Sequence, residues 1–279
     1  VVGAAAKAQY HSYVNEPGNV FVKSVKGLLG TDKVIPVFGR QLSPSAVAGY
    51  IFEHLARQAR AEGLGVRECV VTIPIHFGGS QRKALREAAA QAGLHIKTFV
   101  HEPFAAFVGY IKARTDLTLL PNLRRVLVCD WGGGTLDVTL IRVDDRDLFE
   151  VSTLGLEGIA GDKFDSLLTD LLVRRFADEN HLNPAQLGIS PRAWDRLAAQ
   201  AERAKIRLST SDHAQVTVEG ICRKRGSVLH LDQPVTRADF ESLIVDDVDR
   251  ALKSIDDALR VAGINPGALD LVLMIGGTS

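Results

Sequence analysis

The chain has 279 residues, enough to bury about three quarters of its unfolded surface in one large or two medium domains. Its 33 basic and 33 acidic side chains balance, which argues against a nucleic-acid binder and against an acidic interaction tail. No apolar run approaches the roughly 20 residues that cross a bilayer, no basic and apolar leader is visible, and Cys69, Cys129 and Cys222 show no zinc-site spacing, so a reducing cytoplasm is expected.

Residues 1–40 read as mixed and turn-rich, with Asn-Glu-Pro-Gly-Asn at 15–19. Ser43 is placed to cap a helix with Pro44 at its first position and apolar residues at Val47, Tyr50, Ile51 and Leu55. A strand over 69–74, a turn over 76–79 and a helix capped by Ser80 and ending at Gly93 follow. A short strand at 96–100 leads through His101-Glu102-Pro103 into a helix over 104–112, and residues 115–122 form a polar break. Two apolar, β-branched segments then flank Gly132, Gly133 and Gly134 within 126–143, which predicts a β-hairpin. A strand at 148–154 and a second glycine-containing loop at 155–161 precede a helix over 162–177, whose apolar residues are Phe164, Leu167, Leu168, Leu171 and Leu172. Next come a helix over 191–208 and a ribbon of strands 214–222 and 227–231, with Arg223, Lys224 and Arg225 in its turn. Thr236 and Asp239 predict a cap for a long helix to Val261, and the last strand is 269–275. Cys69 and Cys129 fall in apolar strands and are expected to be buried; Cys222 falls in a polar hairpin. Alternating units of this kind make an α/β layered protein. The sequence opens at Val1 without an initiator Met and stops at Ser279 just after a Gly-Gly pair, so an excised piece of a longer chain is expected.

The hairpin carries most of the chemistry. Glycine amides can turn toward an anion with no Cβ in the way. Thr135 adds a hydroxyl, and the carboxylates of Asp130 and Asp137 flank the turn, where they could hold a hydrated Mg2+. Walker and Rossmann phosphate turns lead into a helix, whereas this one leads into a strand. On the residues alone, a plain hairpin with acids at its ends stays open.

Several co-linear blocks give the chain its resemblance. They are VKGLLG (25–30), VVTIPIHFGGSQRKALREAAAQAGL (70–94), HEPFAAFVGY (101–110), CDWGGGTLDVTL (129–140), IAGDKFDSLL (159–168), AERAKIRLSTS (201–211) and LVLMIGGTS (271–279). With them the chain resembles the nucleotide-binding domain of the seventy-kilodalton heat-shock chaperones, the DnaK type, within the actin-like ATPase superfamily. The resemblance implies an actin-like, ribonuclease-H-like α/β fold of two lobes with ATP between them, the first lobe incomplete. Residues 1–118 would be the first lobe, with 1–40 its upper subdomain and 41–118 its base. Residues 119–279 would be the second, with 119–157 and 236–279 as base and 158–235 as upper subdomain.

The resemblance also implies roles. Gly132, Gly133, Gly134 and Thr135 would form a phosphate loop, with Asp130 and Asp137 orienting Mg2+ through its waters. Glu102 would position the attacking water and Lys26 would contact phosphate; read alone, the first is a helix-start acid and the second a surface lysine. Glu202, Lys205 and Ser209 lie on one helical face; they would contact adenosine, though a solvated charged face is the alternative. Gly161, Gly276 and Gly277 would pass close to the nucleotide, and Pro74 and Arg82 would relay its state. The implied function is Mg-dependent ATP hydrolysis, coupled through lobe closure to a peptide-binding domain that is absent here. Its partners would be client polypeptides, co-chaperones and a nucleotide-exchange factor, with no nucleic acid and no membrane. The alternatives are a divergent, non-chaperone nucleotide-binding scaffold and a sugar or acetate kinase relative. Three departures bear on this. No first-lobe Gly-Thr-Thr loop has a counterpart, Ile206 stands at the place of an adenine-stacking arginine, and Ala160 replaces the first glycine of a pair. His101 also replaces an asparagine. Weak binding and poor turnover are therefore expected of this piece alone.

Overall fold

The computed structural model describes residues 2–3, 5–6, 9, 21–22, 24–37, 39–113, 123–145 and 147–278. The chain divides into two compact units, Val1–Ala105 and Ala106–Ser279. The expected lobe boundary stood at 118/119. The turn at 15–19 and the break at 115–122 lie outside the described residues. No helix of the described residues is long and apolar enough to cross a membrane.

In the first unit, β1 (Ile35–Val37) and β2 (Arg40–Leu42) make a small antiparallel hairpin. Helix α1 (Pro44–Ala61) starts as its sequence dictates: Ser43 Oγ accepts the Ala46 N–H at 3.1 Å, and Pro44 takes the first position. Strand β3 (Glu68–Ile73) runs parallel to β4 (His95–His101), with helix α2 (Gly79–Gln91) as the connection. Ser80 does not cap α2. Its hydroxyl donates to the Gln81 side chain, which itself accepts the Gly78 N–H at 3.1 Å, so the helix begins at Gly79 and Ser80 lies inside its first turn. The core joins Val25, Leu29, Ile73, Phe77, Leu85 and Ile96 to alanines of α1 and α2. Those alanines let the two helices pack closely: a Cβ added at Gly49 of α1 would collide with the Gln91 side chain of α2. Helix α3 (Glu102–Ala113) follows β4 without a loop.

The second unit is built on a four-stranded sheet. Strands β5 (Arg125–Trp131), β6 (Thr135–Asp144) and β7 (Asp147–Glu157) form an antiparallel meander, and β10 (Leu271–Ile275) lies parallel to β5 at the edge. Helix α6 (Arg237–Val261) packs Ala251, Ala258 and Leu259 on Leu127, Cys129, Val138 and Leu140. Burial of Cys129 pushes its thiol up to about 11. A second core lies among α4 (Gly161–Glu179), α5 (Pro191–Leu208), β8 (His213–Lys224) and β9 (Ser227–Thr236). Leu172, Phe176, Leu197, Leu208, Val216 and Leu231 fill it. Cys222 belongs to this core, so its hairpin is apolar on the inner face rather than polar throughout. The ribbon also extends past residue 231: Pro234 pairs with Gln215, which a two-stranded ribbon tolerates because each strand has an open edge. The predicted cap of α6 forms in both directions. Thr236 Oγ1 accepts the Asp239 N–H at 3.0 Å, and the Asp239 carboxylate accepts the Thr236 N–H at 2.9 Å.

Candidate functional site

The β5–β6 register places Asp130 directly opposite Asp137 and Trp131 opposite Leu136, which leaves Gly132, Gly133 and Gly134 as the turn. Residues opposite one another share a sheet face with Cβ atoms about 4.5–5.5 Å apart, and two like charges there are unfavourable. Asp137 is 0% exposed, and the Thr135 hydroxyl donates to its Oδ2 at 3.2 Å. Asp130 is half-buried.

The carbonyls of the turn are bound on its inner side. Gly132 O accepts the Gly161 N–H at 3.1 Å and the Thr278 hydroxyl at 2.9 Å; Gly133 O accepts the Asp162 N–H at 2.8 Å. The Gly132 N–H closes the turn onto Thr135 O at 2.9 Å. The N–H groups of Gly133 and Gly134 make no hydrogen bond among the described residues, and both glycines are exposed. None of the three turn glycines has a positive φ. A Cβ at Gly133 would stand 3.0 Å from Asp162 Oδ1, while one at Gly134 would meet nothing within 4 Å. Packing among the described residues therefore accounts for glycine at 133 but not at 134.

Two other loops close on this turn. Gly161 opens α4, and a Cβ there would lie 2.8 Å from Thr278 Oγ1 and 3.2 Å from Lys205 Nζ. Gly276 follows β10 with φ +92°, and its Cα lies so close to β5 that an added Cβ would collide with Trp131 O and stand 2.9 Å from Asp130 Oδ1. Gly277 has open space around it. The Thr278 N–H donates to Trp131 O at 2.9 Å, and Trp131 Nε1 donates to Ile159 O at 2.7 Å. Ala160 introduces no backbone strain: it is extended (φ −129°, ψ −175°), a conformation open to any residue, and its side chain is buried.

On α5, Glu202 and Lys205 are half-buried, and Ser209 continues the helical course just past the helix end (φ −66°, ψ −25°). Ile206 is 60% exposed. The Lys205 ammonium pairs with Asp165 at 2.7 Å and donates to Gly161 O at 3.2 Å, so it ties α5 to the start of α4. Burial raises the Asp165 carboxyl above its usual range, opposed by the hydrogen bond and charge of Lys205.

The first unit brings two candidate residues together. Lys26, in a single 3-10 turn held by buried Val25 and Leu29, donates to both Glu102 oxygens at 2.9 and 3.1 Å. Lys26 is 51% exposed, and a pair this open contributes about 1 kcal/mol or less to stability. Arg82 is half-buried and donates to Phe77 O at 3.0 Å, while Pro74 O accepts the Phe77 N–H, so both residues shape the turn that leads into α2.

Sequence reasoning missed Thr278, Asp162, Lys163 and Asp165. Thr278 carried a signal, since it directly follows the Gly-Gly pair. The charged residues carried none, because their partners are distant in sequence. Among the described residues no group of three or more His, Cys, Asp or Glu side chains is placed to cage a metal. Two facing carboxylates suit a hard ion that keeps most of its water, as Mg2+ does. The donor set and the like-charge pairing therefore fit that ion.

Compared with known families, the chain matches the model described as "Hsp70 protein" over residues 7–279. The chain belongs to the Hsp70 family, and it is a chaperone-type ATPase domain.

Proposed function

We propose that this Hsp70-family domain binds Mg-ATP through the glycine hairpin of the second unit and hydrolyses it, coupling nucleotide state to a peptide-binding domain. The observation that carries the reading is the hairpin itself. Two carboxylates stand opposite one another, and between them the exposed Gly133 and Gly134 amides have no partner among the described residues. Among the described residues nothing requires glycine at 134, and the close approach of a ligand would.

Gly133, Gly134 and Thr135 would donate to phosphate oxygens. Asp130 and Asp137 would hold the waters of Mg2+, which when bound neutralises phosphate charge. Glu102 would orient the attacking water. Lys26 can keep its bond to Glu102 and still offer an N–H to phosphate, since an ammonium has three donors. Glu202 and Ser209 would contact adenosine, with Ile206 offering its apolar side chain to the base. Lys205 would use the donor left after Asp165 and Gly161. Gly161, Gly276 and Gly277 would let backbone approach the nucleotide. The partners would be client polypeptides, co-chaperones and an exchange factor.

The test is turnover and Mg-ADP titration of Asp130→Ala and Glu102→Ala in the full-length protein, because weak binding and poor turnover are expected of this piece alone. Asp130→Ala should lose both binding and hydrolysis. Glu102→Ala should keep binding and lose roughly 100-fold or more in kcat, as expected for a residue that moves or orients a proton. Wild-type kcat in either variant refutes its assigned role.

A further inference from the structure

The first turn of α4 begins a helix and also carries the hairpin. Helix first turns have backbone N–H groups with no partner inside the helix. Here two of them, from Gly161 and Asp162, hold the Gly132 and Gly133 carbonyls at 3.1 and 2.8 Å. The orientation of the hairpin therefore follows the orientation of this turn.

Two charge pairs fix the turn, and they reach different helices. Lys163 Nζ meets the Asp247 carboxylate of α6 at 2.7 and 2.8 Å. Asp247 is 4% exposed, on the buried side of α6, and Arg250 shares its Oδ1 at 3.3 Å. On the other side, Asp165 meets Lys205 of α5 at 2.7 Å, with side chains only 20% and 16% exposed. That same ammonium holds Gly161 O. The pairs have opposite polarity: α4 offers a cation to α6 and an anion to α5. Two residues apart means roughly 200° around a helix of 3.6 residues per turn, so the pulls oppose each other. The turn cannot rotate about its axis without stretching one pair. Stability alone is a weak reason for such pairs, because buried ions are commonly replaced by apolar residues at no loss. Fixing an orientation is a stronger one.

We propose that Lys163 and Asp165 are positioning residues. Their opposed charge pairs hold the first turn of α4 in the one orientation that presents the Gly133 and Gly134 amides to phosphate. The proposal rests on the reading of the hairpin as a phosphate site, and its test separates the two.

Lys163→Met, Asp165→Asn and the charge-keeping Lys163→Arg are compared with wild type by amide hydrogen exchange and by titration with Mg-ADP and with adenosine. In the first two variants, exchange at Gly161 and Asp162 should rise about tenfold or more. Mg-ADP binding should weaken roughly 10- to 100-fold, the usual loss when a residue supporting a ligating group is removed. Adenosine binding should stay unchanged in Lys163→Met, whose partner Asp247 has no assigned nucleotide contact; Asp165→Asn frees Lys205, so it is read by exchange and Mg-ADP alone. Lys163→Arg should keep most of the protection and of the Mg-ADP affinity, and Asp165→Asn carries the test if Lys163→Met fails to fold. Unchanged protection with unchanged Mg-ADP affinity overturns the proposal. So does an equal weakening of adenosine and Mg-ADP in Lys163→Met, which would mark a general loosening. Lost protection, with Mg-ADP affinity unaltered in these variants and in Asp130→Asn, supports the fixing of the turn and refutes the phosphate reading.

Discussion

Gly276→Ala is a sharp test of how the site is assembled. Gly276 has φ +92°, a region that L side chains rarely adopt. Holding alanine there costs on the order of 1–3 kcal/mol. The new methyl would collide with the Trp131 carbonyl and stand 2.9 Å from Asp130 Oδ1. Backbone cannot swing aside as a side chain can, so β5 and the β10 end must part, at about 1–3 kcal/mol for an overpacked contact. The sum is roughly 2–6 kcal/mol, and at ~2–4 °C per kcal/mol for a domain of this size it lowers Tm by about 4–24 °C. Gly277→Ala is the matched control. It has open space and no positive φ, so it should stay within about 0.5 kcal/mol of wild type. Calorimetric unfolding of both, with Mg-ADP titration, makes the comparison. Because the clash also touches the Asp130 carboxylate, Gly276→Ala should weaken Mg-ADP binding in whatever fraction stays folded. Equal Tm for the two alanine variants would refute the packing argument.

Gly161→Ala should drive Thr278 off the Gly132 carbonyl, since the new Cβ would sit 2.8 Å from Thr278 Oγ1. A loss of about 1–3 kcal/mol is expected, and Gly161→Ala/Thr278→Ala should recover part of it; urea midpoints measure both. The Arg175 hydrogen bonds, with that of the Thr236 N–H, hold the Asp239 carboxyl far below the usual range. A carboxyl depressed in the folded state adds stability above its unfolded value of about 3.9, and that stability is lost as pH falls toward the folded value. The urea midpoint should therefore drop between about pH 4 and pH 2, and the drop should be smaller in Arg175→Met. Equal acid slopes in the two proteins would refute the pairing.

How much was legible depended on whether the cause was local. Ser43, Pro44, Thr236 and Asp239 each act within one turn of a helix, and the structure bears out the caps that their order predicts. Ser80 failed because Gln81, one residue on, competes for the same end of the helix and wins by reaching back to Gly78. The hairpin was legible because its period-two pattern and glycines are contiguous. What holds the hairpin was not. Gly161, Thr278 and Asp162 reach it from loops distant in sequence, and no spacing announces a hydrogen bond between them. Cys222 looked polar from its neighbours, yet an irregularity in β8 between Val218 and Cys222 resets the register and pairs it with Leu229 on the inner face.

The Asp130–Asp137 pair bears on why such a hairpin persists. Like charges across a strand pair are unfavourable, and Asp137 is fully buried, which adds the cost of desolvating a carboxylate. Hydrophobic residues in the same places would continue the sheet face of Val126, Val128 and Ile141 without either cost. A divalent cation reverses the sign of the interaction, because two facing carboxylates that repel one another both attract its hydration shell. The ion therefore relieves the repulsion between the two acids. Replacing both residues with Asn should abolish the rise in Tm that Mg-ADP produces in wild type. A double variant that keeps that rise would show that the acids do not serve the ion.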